Sequence, residues 1–142
     1  MEAVEIWHRA MRSKDAGIWD DLLAEEVVFH SPVVFTPQEG KKITMMYLMA
    51  ATGVFGSTDD KPESTIDAPT ESKFRYVNEI IGKTSALLEF ESEIDGTYIN
   101  GVDLLKWDEN NKLIEVKVMV RPLQAVNMLH QKMKAMLESM SQ

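Results

Sequence analysis

The sequence predicts an α+β domain in which three N-terminal helices and one C-terminal helix lie on one face of a curved antiparallel sheet and enclose a cone-shaped pocket. Three observations predict it. Apolar residues recur at helical spacing through the first fifty positions. Four stretches between Lys73 and Val120 alternate or run apolar and are separated by turn residues. The last stretch, from Gln124 to Ser139, returns to a helical stripe. Helices before and after a run of antiparallel strands are the pattern of segregated α+β packing.

Val4, Ile6, Trp7, Ala10 and Met11 place one apolar face on a first helix. Asp15 is placed to cap a second, which carries Ile18, Trp19, Leu22 and Leu23 and is expected to end near Glu25-Glu26. Val27 to His30 then reads as a short strand halted by Pro32. Thr36 to Gly40 is loop-like, and Lys41 to Thr52 has good helix formers, with Ile43, Met46, Tyr47 and Ala50 spaced for burial. Gly53 to Thr70 is polar, turn-prone and weakly periodic, consistent with a lid or a plain loop. Strands follow at Lys73 to Ile81, Ser85 to Ile94, Tyr98 to Trp107 and Leu113 to Val120. Asp95-Gly96 supplies one turn and Asp108 to Lys112 the next. The terminal helix carries Ala125, Met128, Leu129, Met133, Met136 and Met140.

Successive side chains of a strand leave opposite faces. If Val116, Val118 and Val120 point inward, Glu115, Lys117, Met119 and Arg121 point outward. On the neighbouring strand Gly101, Asp103, Leu105 and Trp107 share a face, so one carboxylate falls among apolar side chains. Such a group is paired, protonated or functional. It is either a structural carboxyl tied to a neighbouring backbone or Trp side chain, or a neutral acid able to donate to a ligand carbonyl. Arg121 falls on the opposite face and so is not its expected partner.

A chain of 142 residues buries a core without disulfides or metal, and residues 1–142 are read as a single domain. A net charge of -8 argues against sequence-independent nucleic-acid binding, which needs a basic surface. No apolar run reaches the roughly 20 residues of a membrane span, and the first residues lack a basic start with an apolar centre, so a cytoplasmic location is expected. There is no cysteine, and the three histidines, His8, His30 and His130, lack ligand spacing, so no metal is expected. Without a Gly-rich phosphate loop no cofactor is expected either. His30 is a candidate general base by its ordinary pKa of about 6.5, although an inward Ser31 would turn it outward. Trp7, Phe35 and Phe90, with Tyr47, Trp107 and Val118, are candidate walls for a flat apolar ligand, the alternative being plain core packing.

Trp7 to Asp15, Val28-Phe-His-Ser-Pro-Val33, Gly40, Gly101-Val-Asp-Leu-Leu-Lys-Trp107 and Val116 to Pro122, in this order and spacing, make the chain resemble the nuclear-transport-factor-two-like superfamily, in its SnoaL-like and ketosteroid-isomerase-like branch. The resemblance covers nearly the whole chain and implies the cone fold. It implies a role for Asp103 as the family's protonated aspartate, which helps hold an enolate oxygen. Trp7 stands where that branch has a tyrosine and Ser31 where it has the proton-moving aspartate, and neither can do the replaced residue's work as a proton relay or base. The expectation is a small-molecule-binding protein with Asp103 and His30 as catalytic candidates and Trp7 and Ser31 as polar contacts. If it is an enzyme, the class implied is cofactor-independent isomerase, cyclase or dehydratase chemistry on an apolar carbonyl compound. The alternative is a non-catalytic protein-interaction module with a filled pocket. An epoxide-hydrolase-like site would need Asp, Arg and Asp together, and only Asp103 is placed inward. The outward sheet face, with Val102, Leu104 and Met119 among Glu89, Glu91, Lys106, Glu115 and Lys117, suits a homodimer.

Overall fold

The computed structural model describes residues 2–13, 15–55 and 74–140, with the side chain of residue 140 excepted. Helix α1 (Glu2–Arg12) buries Ala3, Val4, Trp7 and Ala10, the positions its periodicity marks. Helix α2 (Ala16–Leu22) is capped by Asp15, whose carboxylate accepts from the Gly17 N–H at 2.9 Å. It stops earlier than expected, because Leu23 is already extended and β1 (Leu23–His30) begins there. Ala24, Glu25 and Glu26 favour helix in isolation, but strand pairing with the last strand of the chain, from Leu113 onward, prevails. A two-residue strand, β2 (Gln38–Glu39), borders β1 and was not anticipated. Helix α3 (Lys41–Phe55) runs a turn further than its sequence signal. Beyond it, positions 56–70 of the expected lid or loop lie outside the described residues.

Strands β3 (Arg75–Ile81), β4 (Ser85–Ile94), β5 (Thr97–Trp107) and β6 (Leu113–Arg121) form the expected antiparallel run. Asp95 and Gly96 both have positive φ, +53° and +80°, in the two-residue turn that brings Ile94 opposite Thr97. The sheet order is β2-β1-β6-β5-β4-β3, and β1 pairs with β6 in parallel. The sheet is therefore mixed rather than wholly antiparallel. The reason is topological: β1 and β6 are joined by a long crossover through α3 and the four strands β2, β3, β4 and β5, which allows parallel pairing where a hairpin would not. The sheet is open, and helix α4 (Leu123–Met140) packs on α3, β5 and β6.

Inward alternation on β5 is as read from the sequence, with Gly101, Asp103, Leu105 and Trp107 all buried. One apolar cluster gathers Trp7, Trp19, Leu22, Leu88, Leu105 and Val116 between α1, α2 and the sheet. A second gathers Phe55, Phe74, Phe90, Ile99, Ala125 and Leu129 toward α4. The cavity lies where these clusters meet.

Candidate functional site

The cavity has a volume of about 50 Å³ and is lined by Trp7 and Met11 of α1, Phe29 of β1, Ser31 and Pro32 beyond it, Leu48, Ala51 and Phe55 of α3, Phe74 and Phe90, Asp103, Val118 and Val120, and Leu129 and Met133 of α4. Asp103 is the only ionisable side chain among them. It is 4% exposed, and its register neighbours are Leu88 on β4 and Val118 on β6. Burial lifts its pKa from 3.8 to about 7, against a smaller lowering by a hydrogen bond from Tyr76.

That hydrogen bond belongs to a short chain. The Trp7 indole N–H donates to the Tyr76 hydroxyl at 2.9 Å, and the Tyr76 hydroxyl donates to Oδ2 of Asp103 at 2.8 Å. Tyr76 as a residue is only partly buried, but its hydroxyl lies between Trp7 and Asp103, both nearly inaccessible. Desolvation there, and next the charge of Asp103, hold its pKa well above the ordinary phenol value, so the hydroxyl stays protonated. The Asp103 contribution operates only where that carboxyl is ionised. His8 stacks edge-on against the Tyr76 ring and pairs with Glu79, tying α1 to β3 beside the chain.

Gly101 shapes the wall next to this group. A Cβ there would fall 2.6 Å from Cζ of Phe90 and 2.7 Å from the Met119 carbonyl oxygen. Phe90 is the register partner of Gly101 on β4, so the missing side chain is the space its ring occupies.

No family model and no curated protein matches the sequence. Solved structures do. A steroid delta-isomerase from Pseudomonas aeruginosa superposes with a TM-score of 0.82 at 24% identity, over 97% of this chain and 90% of that one. An NTF2-like protein of unknown function from Mesorhizobium loti superposes with a TM-score of 0.65 at 16% identity, over 85% and 89%. The chain has the nuclear-transport-factor-two-like fold. A third similar structure, a putative polyketide cyclase from Sinorhizobium meliloti, gives a TM-score of 0.61 at 9% identity, over 84% and 94%.

Within this nuclear-transport-factor-two-like cone the structure brings together Trp7, Ser31, Phe90, Asp103 and Val118 of the sequence candidates. One of these differs from expectation in what it offers. The single N–H of Trp7 is held by Tyr76, so Trp7 presents its ring and not a polar contact. Ser31 lines the cavity while its oxygen accepts from the Val33 N–H at 3.1 Å, leaving its hydroxyl proton as a donor.

The other candidates stand outside the lining. His30 points to the outer face, with Nε2 3.0 Å from Glu115, because Phe29 and Ser31 take the inward positions on either side of it. Phe35 is 99% exposed, in the irregular segment between β1 and β2, where no strand or helix fixes an inward direction. Tyr47 stacks on Phe29 at 5.4 Å behind the cavity wall. Trp107 is buried in the first apolar cluster, at the β5 end paired with Leu113. Arg121 hydrogen-bonds Asn100 at 2.8 Å, as the strand parity required.

Sequence reasoning missed Tyr76. Its signal was present, a tyrosine in an alternating strand, but the pairing of β3 with β4 shifts register between Tyr76 and Asn78. Parity counted from Ile81 therefore does not reach Tyr76. Among the described residues no three His, Asp or Glu side chains gather as a metal site would require. No helix among them is long and apolar enough to cross a membrane.

Proposed function

We propose that residues 1–142 form one domain whose cone holds a small apolar molecule bearing a carbonyl or similar oxygen, with neutral Asp103 donating a hydrogen bond to it. The observation that carries this reading is Asp103, the one ionisable group among the described residues that line a mostly apolar cavity, held by Tyr76. A buried acid whose pKa is about 7 stands near the optimum for moving a proton at neutral pH. The steroid delta-isomerase and the putative polyketide cyclase that share the fold support a cofactor-independent isomerase, cyclase or dehydratase class. In that chemistry Asp103 is the acid and Ser31 a second donor. His30, turned outward onto Glu115, takes no part.

The test is a thermal-shift screen of the wild type and Asp103→Asn against small ketones, enones and lactones, since a ligand that binds only the folded state raises its melting temperature. Stabilisation of the wild type that is lost in the variant is expected. Stabilisation that is equal in both contradicts the role given to Asp103.

The cavity volume favours a second reading. About 50 Å³ holds a few waters, whereas drug-sized ligands occupy sites of roughly 300–1,000 Å³. Met11, Phe55, Leu129 and Met133 fill much of the cone, as expected of a non-catalytic interaction module. Absence of stabilisation by every compound, in both proteins, is the outcome this reading expects.

The outer sheet face supports a homodimer. Val102 and Leu104 are half-buried and Met119 is 49% exposed, beside Glu115, which pairs with Lys106 at 3.4 Å and with His30. A groove of about 380 Å³ runs along this face between Ile80, Leu87, Leu104 and Lys117.

A further inference from the structure

The hydrogen-bond chain has a direction, and the direction is set by Trp7. An indole nitrogen only donates. Its N–H ends on the Tyr76 oxygen, so the Tyr76 hydrogen is free to point elsewhere, and Oδ2 of Asp103 at 2.8 Å receives it. In a neutral carboxyl the carbonyl oxygen is the better acceptor, so this bond favours the proton on the other oxygen. Among the described residues no hydrogen bond to the Asp103 side chain other than that from Tyr76 is present, and Asp103 lines the cavity. We propose that Trp7 and Tyr76 are positioning residues that confine the Asp103 proton to Oδ1, so that the cavity meets a donor and selects molecules that present an acceptor oxygen. The selectivity, though not the position of the proton, rests on the ligand-binding reading above.

The surroundings leave little else to orient the carboxyl. Leu88 and Val118 flank Asp103 in the sheet, and among the described residues the other ionisable groups beside the hydrogen-bond chain are His8 and Glu79, beyond Tyr76. If Tyr76 accepted from Asp103 instead, its own hydrogen would need a further acceptor, and the indole cannot supply one.

The experiment follows the Asp103 carboxyl carbon by nuclear magnetic resonance across pH, with its signal assigned by its loss in Asp103→Asn. Tyr76→Phe removes the bond that favours the carboxylate, so the midpoint moves upward from about 7. Trp7→Phe keeps the ring but removes the donor that polarises Tyr76, so its midpoint moves the same way by less, and it serves if Tyr76→Phe does not fold. A midpoint unchanged in both folded variants overturns the proposal. Selectivity is read with two rings of equal size, cyclopentanone as acceptor and pyrrole as donor. Preference for cyclopentanone in the wild type, reduced in Tyr76→Phe, is expected, and preference for pyrrole overturns it. Binding of neither ring, with the midpoints moving as stated, supports the directed chain and contradicts the ligand-binding reading alone.

Discussion

Asp103 is the residue on which the proposed chemistry turns, and its titration is also a statement about stability. Its folded pKa, about 7, lies above the value near 3.9 of an unfolded chain. Between those two values the folded state binds more protons than the unfolded one, so folding stability falls as pH rises. The neutral carboxyl therefore imposes no penalty below about pH 4, and the penalty is complete above about pH 7. At about 1.4 kcal/mol per unit of separation, the span is on the order of 4 kcal/mol. Asp103→Asn has no such titration. Denaturant unfolding of both proteins from pH 4 to 8 is expected to show the wild type losing stability relative to Asp103→Asn, and a constant difference would contradict a buried neutral acid. The inward direction of Asp103 was legible in strand parity alone. Its partner was not, because Tyr76 reaches it across a register shift that no single strand records.

At the scale of elements, what could be read was what periodicity encodes. Helix α1, the Asp15 cap, the Asp95-Gly96 turn and the four antiparallel strands fall close to where apolar spacing and turn residues place them. Elements that depend on distant partners were less visible. β1 extends back to Leu23 because Leu23 pairs with Leu113, ninety positions on, with a bulge before Val28. Helix-forming Ala24 to Glu26 gave the opposite local signal. The same limit applies to the site: alternation turns His30 outward once Ser31 is inward, as the structure has it, whereas Phe35 lies in irregular chain to which no period applies. Phe55, Leu129 and Met133 carry a helical stripe that marks burial without saying that the buried face meets a cavity. Gly101 shows how one element shapes another, since the Phe90 ring of β4 occupies the space a β5 side chain would take.

For the whole molecule, the fold sets a cone that is mostly filled and a sheet face that is not covered by its own helices. Leu104 and Met119 lie on that face, which also carries Glu115 paired with Lys106 and His30, charges that a second copy could match in reverse order. Sedimentation velocity at micromolar concentration is expected to give a dimer for the wild type and a monomer for the double variant Leu104→Lys, Met119→Lys. A wild-type monomer would contradict the pairing. On the reading proposed above, the two sides of the sheet carry separate roles: the inner side holds the acid and the outer side would meet a second copy. Met11 and Met133 line the cavity, and methionine is the apolar side chain best suited to yield to a larger occupant.

The donor role of Asp103 depends on its carboxyl keeping a proton up to about neutral pH. The pH midpoint of its carboxyl carbon in the wild-type protein, read by nuclear magnetic resonance, tests this without any ligand. A midpoint near 7 is the predicted result. A midpoint near 4, the value of an ordinary exposed aspartate, would mean that the carboxylate is ionised in the cone, and the donor role assigned to it would be wrong.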